Sequence, residues 1–194
     1  MGIRIGRGVR GIQASTRLNA RPTAKYGVFV YQVFGYNVLN DKLNLAAYAV
    51  TKALEDAGYE TVPVPASPPY DTGELVAIFS HRHAAVAAGL GEFGWNRLVL
   101  TPTDGPYVRL VSVITTAHLD ASQMYHGPRL CEPIACGTIC ARDCPAAVLS
   151  QNEGVGLSIG GLAYQMAVFD KRRCLSAPCA VCLVRCPVGN SRSR

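Results

Sequence analysis

Residues 130–149, LCEPIACGTICARDCPAAVL, and residues 170–189, DKRRCLSAPCAVCLVRCPVG, hold all eight cysteines of this 194-residue chain. They form two sets, Cys131-x4-Cys136-x3-Cys140-x3-Cys144-Pro145 and Cys174-x4-Cys179-x2-Cys182-x3-Cys186-Pro187. A 4Fe-4S cubane presents four irons at tetrahedral corners, each needing one soft thiolate, and a short loop reaches three corners more comfortably than the fourth. The proline after the last cysteine of each set has no N–H and presets a turn that leads the chain away from the metal. Cys131, Cys136, Cys140, Cys144, Cys174, Cys179, Cys182 and Cys186 are therefore expected to ligate two 4Fe-4S clusters.

The shared C-x3-C-P ending is similar to that of two-cluster ferredoxins, in which the proline-flanked cysteine of each set serves the other cluster. That likeness implies Cys131, Cys136, Cys140 and Cys186 around one cube, and Cys174, Cys179, Cys182 and Cys144 around the other. The x4 and x3 spacings exceed those of the simplest ferredoxin loop, so Cys131 and Cys174 are the least constrained members. Zinc is the main alternative, but only Cys179 and Cys182 have the C-x2-C knuckle that structural zinc sites repeat. Four disulfides are the other, and they require an oxidising compartment. The apolar residues Ala146, Ala147, Val148 and Leu149, with Val181, Leu183, Val184 and Val188, can keep water from the clusters.

Composition agrees with a folded protein, 49% hydrophobic and long enough for one core with an appendage. No apolar run approaches the roughly 20 residues of a membrane span, and the first residues lack a secretory pattern. A cytoplasmic, reducing location is expected, where cysteines bind metal rather than pair. The formal charge of +6 comes entirely from residues 1–40, where Arg4, Arg7, Arg10, Arg17, Arg21 and Lys25 precede the first acid, Asp41. An RNA partner is one reading of that segment, and a solvated basic face is the simpler one. Each oxidised cluster with its thiolates brings about −2, so two leave a net charge of roughly +2.

Composition changes near residue 120. Before it, Leu43, Ala46, Ala47, Val50, Leu54 and Ala57 recur at helical intervals, which predicts an amphipathic helix over Asp41–Ala57 closed by Gly58. Prolines 63, 65, 68 and 69 limit residues 59–69 to an edge strand or a polyproline-like segment. Ser80 is a fitting N-cap for a helix of two to three turns ending at Gly89 or Gly91. The runs NRLVLTP and YVRLVSVITT, separated by Asp104-Gly105-Pro106, predict a hairpin. After residue 120, cysteine loops and short helices are expected.

Gly89-Leu90-Gly91-Glu92-Phe93-Gly94 matches G-x-G-x-x-G, but a helix precedes it and a strand follows, the reverse of a dinucleotide site. A glycine-rich helix exit or a cofactor-facing loop fits better. His81 and His83, two residues apart on a helix, point apart and cannot clamp one metal. They are expected to pack or to hydrogen-bond, although histidine's titration near neutrality keeps a role beside a cofactor open. His118 and His126 have no motif, and Asp71, Glu74 and Glu92 have no partner in the sequence that singles one out.

The run SHRHAAVAAGLGEFGWNRLVLTPTDGPYVRLVSVITT, residues 80–116, together with both cysteine sets, resembles the epoxyqueuosine reductases and the related reductive dehalogenases over roughly residues 40–190. The resemblance implies an α+β chain. Residues 1–120 would form a partial nitroreductase-like α/β core that binds cobalamin, and residues 121–194 a ferredoxin-like two-cluster module. It implies an iron–sulfur oxidoreductase in which electrons pass through the clusters to a bound corrinoid, which carries the reductive chemistry. Gly89, Leu90, Gly91, Gly94 and Asn96 would lie near that corrinoid. Its implied partners are a redox protein or other reductant and a tRNA or small-molecule substrate, with no membrane. A ferredoxin-type electron carrier without catalysis is the alternative.

Two departures bear on catalysis. The acidic D-x-x-P-x-x-E stretch that supplies the reductases' proton donor is replaced by LVAIFSH at residues 75–81, so no catalytic residue is carried over. The tyrosine donors of the dehalogenases have no placed equivalent, although Tyr26, Tyr31 and Tyr36 lie in the corresponding region. Such proteins also carry an α/β segment before the stretch at Met1, so an N-terminal portion is expected to be missing.

Overall fold

A computed structural model describes residues 31–176 and 179–189. The basic stretch from Arg4 to Lys25, and Tyr26 with it, lies outside those residues. The described part is a mixed α+β arrangement of helices and three small antiparallel sheets.

A π-helical turn, Tyr31–Asn37, leads into α1, Val38–Asp56. The helix starts three residues before the expected Asp41, and its inward face is the one that the periodicity marks. Ala47 and Thr51 are buried and Leu43, Val50 and Leu54 half-buried, while Leu45 and Tyr48 face outward. Gly58, at φ +88°, donates to the Glu55 carbonyl, and Tyr59 donates to that of Leu54. These two bonds are a Schellman ending, which needs the left-handed residue that glycine supplies without a Cβ penalty.

Strand β1, Thr61–Val64, pairs antiparallel with β4, Ser112–Thr115, and α1 packs on both. Pro63 sits opposite Val113 in a sheet that has two strands among the described residues, as an edge-strand proline must. Helix α2, His81–Ala87, begins at Ser80, whose Oγ accepts from the His83 N–H at 3.4 Å. It ends as α1 does: Gly89, at φ +75°, donates to Val86 and Leu90 to Ala85.

The expected hairpin across Asp104–Pro106 is not formed. Strand β2, Glu92–Phe93, pairs instead with β3, Val99–Leu100, around a turn in which Gly94 donates to Leu98. The chain does reverse between Thr101 and Gly105, which exchange two hydrogen bonds, but the pairing stops there. Pro102 and Pro106 stand at the next positions and cannot donate to a ladder. Residues 112–115 are left to pair with β1.

Between the cysteine sets lies a long hairpin where loops and short helices were expected. Strand β5, Leu149–Ile159, pairs with β6, Leu162–Phe169, with a register shift between Leu149 and Gly154. Gly160 and Gly161, at φ +56° and +83°, make the two-residue turn, whose hand matches strand twist only with positive φ at both positions. The remaining helices are short: α3, Pro133–Cys136, α4, Ile139–Arg142, α5, Lys171–Ser176, and α6, Val181–Val184.

Two buried clusters bind these pieces. One joins Ala85, Val86, Phe93 and Val99 to Tyr164 and Met166, and the other gathers Trp95, Cys140, Ala141, Val148, Leu149 and Ala167. Both draw residues from either side of position 120, so the β5–β6 hairpin is as much part of the first core as α2 is. Among the described residues no helix is long and apolar enough to cross a membrane.

Candidate metal centre

The first cysteine set winds tightly. Pro133 opens α3, and Gly137 and Thr138, both left-handed at φ +60° and +43°, reverse the chain into α4. Cys131 precedes this double turn, Cys136 ends its first helix and Cys140 lies buried in its second. Cys186 arrives from the other set, after α6, and is also buried. These four sulfur-bearing residues line one cavity of about 280 Å³, whose walls include Trp95, Leu100, Ile139 and Val188. The cavity thus gathers three cysteines of the first set and the proline-flanked cysteine of the second.

Burial dominates the electrostatics of both groups of thiols, and Cys140 and Cys182 interact across them. Burial pushes Cys140 up to about 12, reinforced by Cys131, Cys186 and Cys136. Burial likewise raises Cys186 to about 11, with Cys131 and Cys136 as its thiol neighbours. Cys182 is pushed up to about 12 by burial, then by Cys179, Cys174, Cys140 and Cys144. Cys174 is raised by burial, by Cys179 and by Cys144. Crowded, desolvated thiols hold their protons until a cation replaces them.

All eight cysteines are free thiols. Among the described residues no three His, Cys, Asp or Glu side chains stand close enough to hold a single ion. A tetrahedral ion with metal–sulfur bonds of about 2.3 Å demands close-set sulfurs, whereas a cubane takes each thiolate on a different iron and spreads them. Cys131, Cys136, Cys140 and Cys186 share one cavity with mostly apolar walls. In the other group Cys144, Cys174 and Cys182 pack against the second core cluster while Cys179 is exposed.

The loop from Gly89 to Asn96 docks on this centre in a way the sequence did not announce. A Cβ on Gly89 would meet the Gln123 carbonyl oxygen at 2.0 Å, and one on Gly91 the Leu100 oxygen at 1.9 Å. One on Gly94 would meet the Asn96 and Leu100 side chains at 2.6 and 2.9 Å. These glycines permit close packing of protein on protein on the side where a Cβ would point. Leu90 lines a separate small cavity with Phe79 and His81. Asn96 does reach the cysteines: it lines the 280 Å³ cavity, and its Nδ2 donates to the Cys182 carbonyl at 3.1 Å. Beside it the Trp95 N–H donates to Cys131 Sγ at 3.1 Å, and the indole N–H donates to Ser150 O at 2.9 Å. Neither Trp95 nor Glu92 carried a motif; the bonds that distinguish them run to residues 36 or more positions away.

The histidines fall to structural roles. His81 Nε2 donates to the Pro65 carbonyl and Nδ1 accepts from Ser112, each at 2.8 Å. His83 bonds Ser80 and meets Phe93 edge-on at 5.1 Å, and burial beside Arg82 and Arg97 lowers its pKa. His118 and His126 are exposed. Asp71 accepts from the Glu74 N–H in a local turn. Tyr36 bonds Ser67 and lies under the Arg109 guanidinium at 4.3 Å. No family model matches the chain, and no curated protein matches it.

Proposed function

We propose that this chain is an iron–sulfur oxidoreductase component that holds two 4Fe-4S clusters and passes single electrons through them to an acceptor, in the manner of the epoxyqueuosine reductases that its sequence resembles. The observation that carries the reading is the cavity shared by Cys131, Cys136, Cys140 and Cys186, three cysteines from one set and one from the other. Each cluster, when bound, supplies reversible one-electron storage. The chain's part is to hold the thiolates, exclude water with Leu100, Ile139 and Val188, and direct the Trp95 N–H at Cys131 Sγ. Such donors and the dryness of the site set the reduction potential. A groove of about 590 Å³ beside the cavity shares its Trp95 and Glu132 walls and is where a redox partner would approach. The reducing interior of a cell, where thiols stay available to iron, suits this role.

The resemblance makes the acceptor a corrinoid acting on a tRNA or a small molecule. Gly89, Gly91 and Gly94 pack against protein atoms on the side where a Cβ would point. The second reading is a ferredoxin-type carrier that delivers electrons to another protein.

Reconstitution under nitrogen, followed by iron and sulfide counting and electron paramagnetic resonance after reduction, tests the claim. About eight irons and eight sulfides per chain are expected. Cys186→Ser removes the cluster of the first set, and Cys144→Ser removes the other. Colourless protein that retains zinc instead refutes the proposal. Titration of the loaded protein with cobalamin separates the two readings: a change in the corrinoid spectrum selects the reductase, and an unchanged one selects the carrier.

A further inference from the structure

Glu92 lies on β2 next to Phe93, which points into the first core cluster and is 3% exposed. Alternation along a strand sends Glu92 to the opposite face. There its Oε1 accepts two successive backbone N–H groups, those of Leu130 and Cys131, each at 2.7 Å. The same cysteine is held at its other polar atoms, its carbonyl by Arg129 Nε at 3.2 Å and its Sγ by the Trp95 N–H at 3.1 Å. Strand β2 itself cannot drift, since Gly91 is pressed against the Leu100 backbone and Glu92 is in register with Leu100.

A carboxylate that accepts two amides is a strong, charge-assisted clamp. It also sets a fixed negative charge against the backbone of a cluster ligand. Reduction adds an electron to an already anionic cluster, so such a charge resists it and lowers the potential, against the Trp95 N–H and the Arg129 guanidinium acting in the other direction.

From this arrangement we infer that Glu92 is the positioning residue of the Cys131 cluster, fixing its ligand loop and holding its reduction potential below that of a cluster without the charge. The inference rests on the proposal that the Cys131 cavity holds a cluster. Two variants separate geometry from charge. Glu92→Gln keeps an oxygen able to accept both amides and removes the charge, and Glu92→Ala removes the acceptor.

The test uses the full chain, reconstituted without oxygen, with iron counting and a potentiometric titration followed by electron paramagnetic resonance. Glu92→Gln is expected to keep about eight irons while one of the two midpoint potentials moves upward and the other stays. Glu92→Ala is expected to lose about half of its iron as the Cys131 loop is released. A wild-type potential pair in Glu92→Gln, an equal shift of both clusters, or full iron with unchanged potentials in Glu92→Ala overturns the inference. Wild-type protein without iron would instead remove the functional proposal itself, an outcome read before either variant is made.

Discussion

Asn96 and Gly91 show how single residues hold the cysteine centre to the rest of the molecule. Asn96, 7% exposed, donates to Cys182 O and accepts from the Leu98 N–H at 3.2 Å, tying the β2–β3 turn to the second cysteine set. Asn96→Ala leaves both partners without it in a nearly dry place and is expected to cost about 1 to 3 kcal/mol. Urea unfolding measures that loss, and faster iron release from the second cluster should accompany it. Gly91 has no such bond, yet an added Cβ would lie 1.9 Å from a backbone oxygen that cannot swing away. Gly91→Ala is therefore expected to separate β2 from β3 and cost about 3 kcal/mol, the upper end for overpacking. A variant with an unchanged urea midpoint would show that the strand has room that the structure does not give it.

Among the elements, the β5–β6 hairpin and the clamp between the cysteine loops matter most. Gly161 faces open space, but its φ of +83° excludes an ordinary residue. Gly161→Ala should cost about 1 to 2 kcal/mol by backbone strain alone, a smaller loss than at Gly91 and readable in the same assay. The two cysteine sets meet at Asp143, which accepts from Arg142 Nε at 3.0 Å and from Arg185 Nε at 2.6 Å. Hydrogen bonds from Arg185 first, then Arg142, hold its pKa below the ordinary 3.8. A depressed carboxylate stabilises the fold above its unfolded pKa, and that contribution disappears as pH falls through the folded value. Metal-free wild-type and Asp143→Asn proteins should thus differ in urea midpoint near neutrality and converge in strong acid. A gap that persists in strong acid would mean that the charge is not what joins the loops.

For the whole molecule, the cysteine-rich region and the core are one structure. Cys131, Cys144, Cys174 and Cys182 pack against the cluster of Trp95, Val148, Leu149 and Ala167, which also carries the base of the hairpin. Removing iron with a chelator under anaerobic conditions should therefore lower the thermal midpoint of the entire chain, because metal bound only by the folded form adds its binding energy to stability. Equal melting curves before and after chelation would separate centre from core.

The caps of α1 and α2 and the edge position of Pro63 could be read from the sequence, because each depends on residue type and on neighbours a few positions away. The β5–β6 hairpin has a local signal too, since Gly160-Gly161 between strand-forming runs is a turn pair, although the flanking cysteine sets favour loops. The partner of β3 was not legible: β2 and β4 both have strand character, and only packing in three dimensions, with prolines flanking the turn, decided between them. Nor could local pattern reveal that Glu92, Trp95 and Asn96 meet the cysteines. Those contacts span 36 to 86 residues of chain, and a hydrogen bond over that separation exists only once the core has brought its two ends within 3 Å or so of each other.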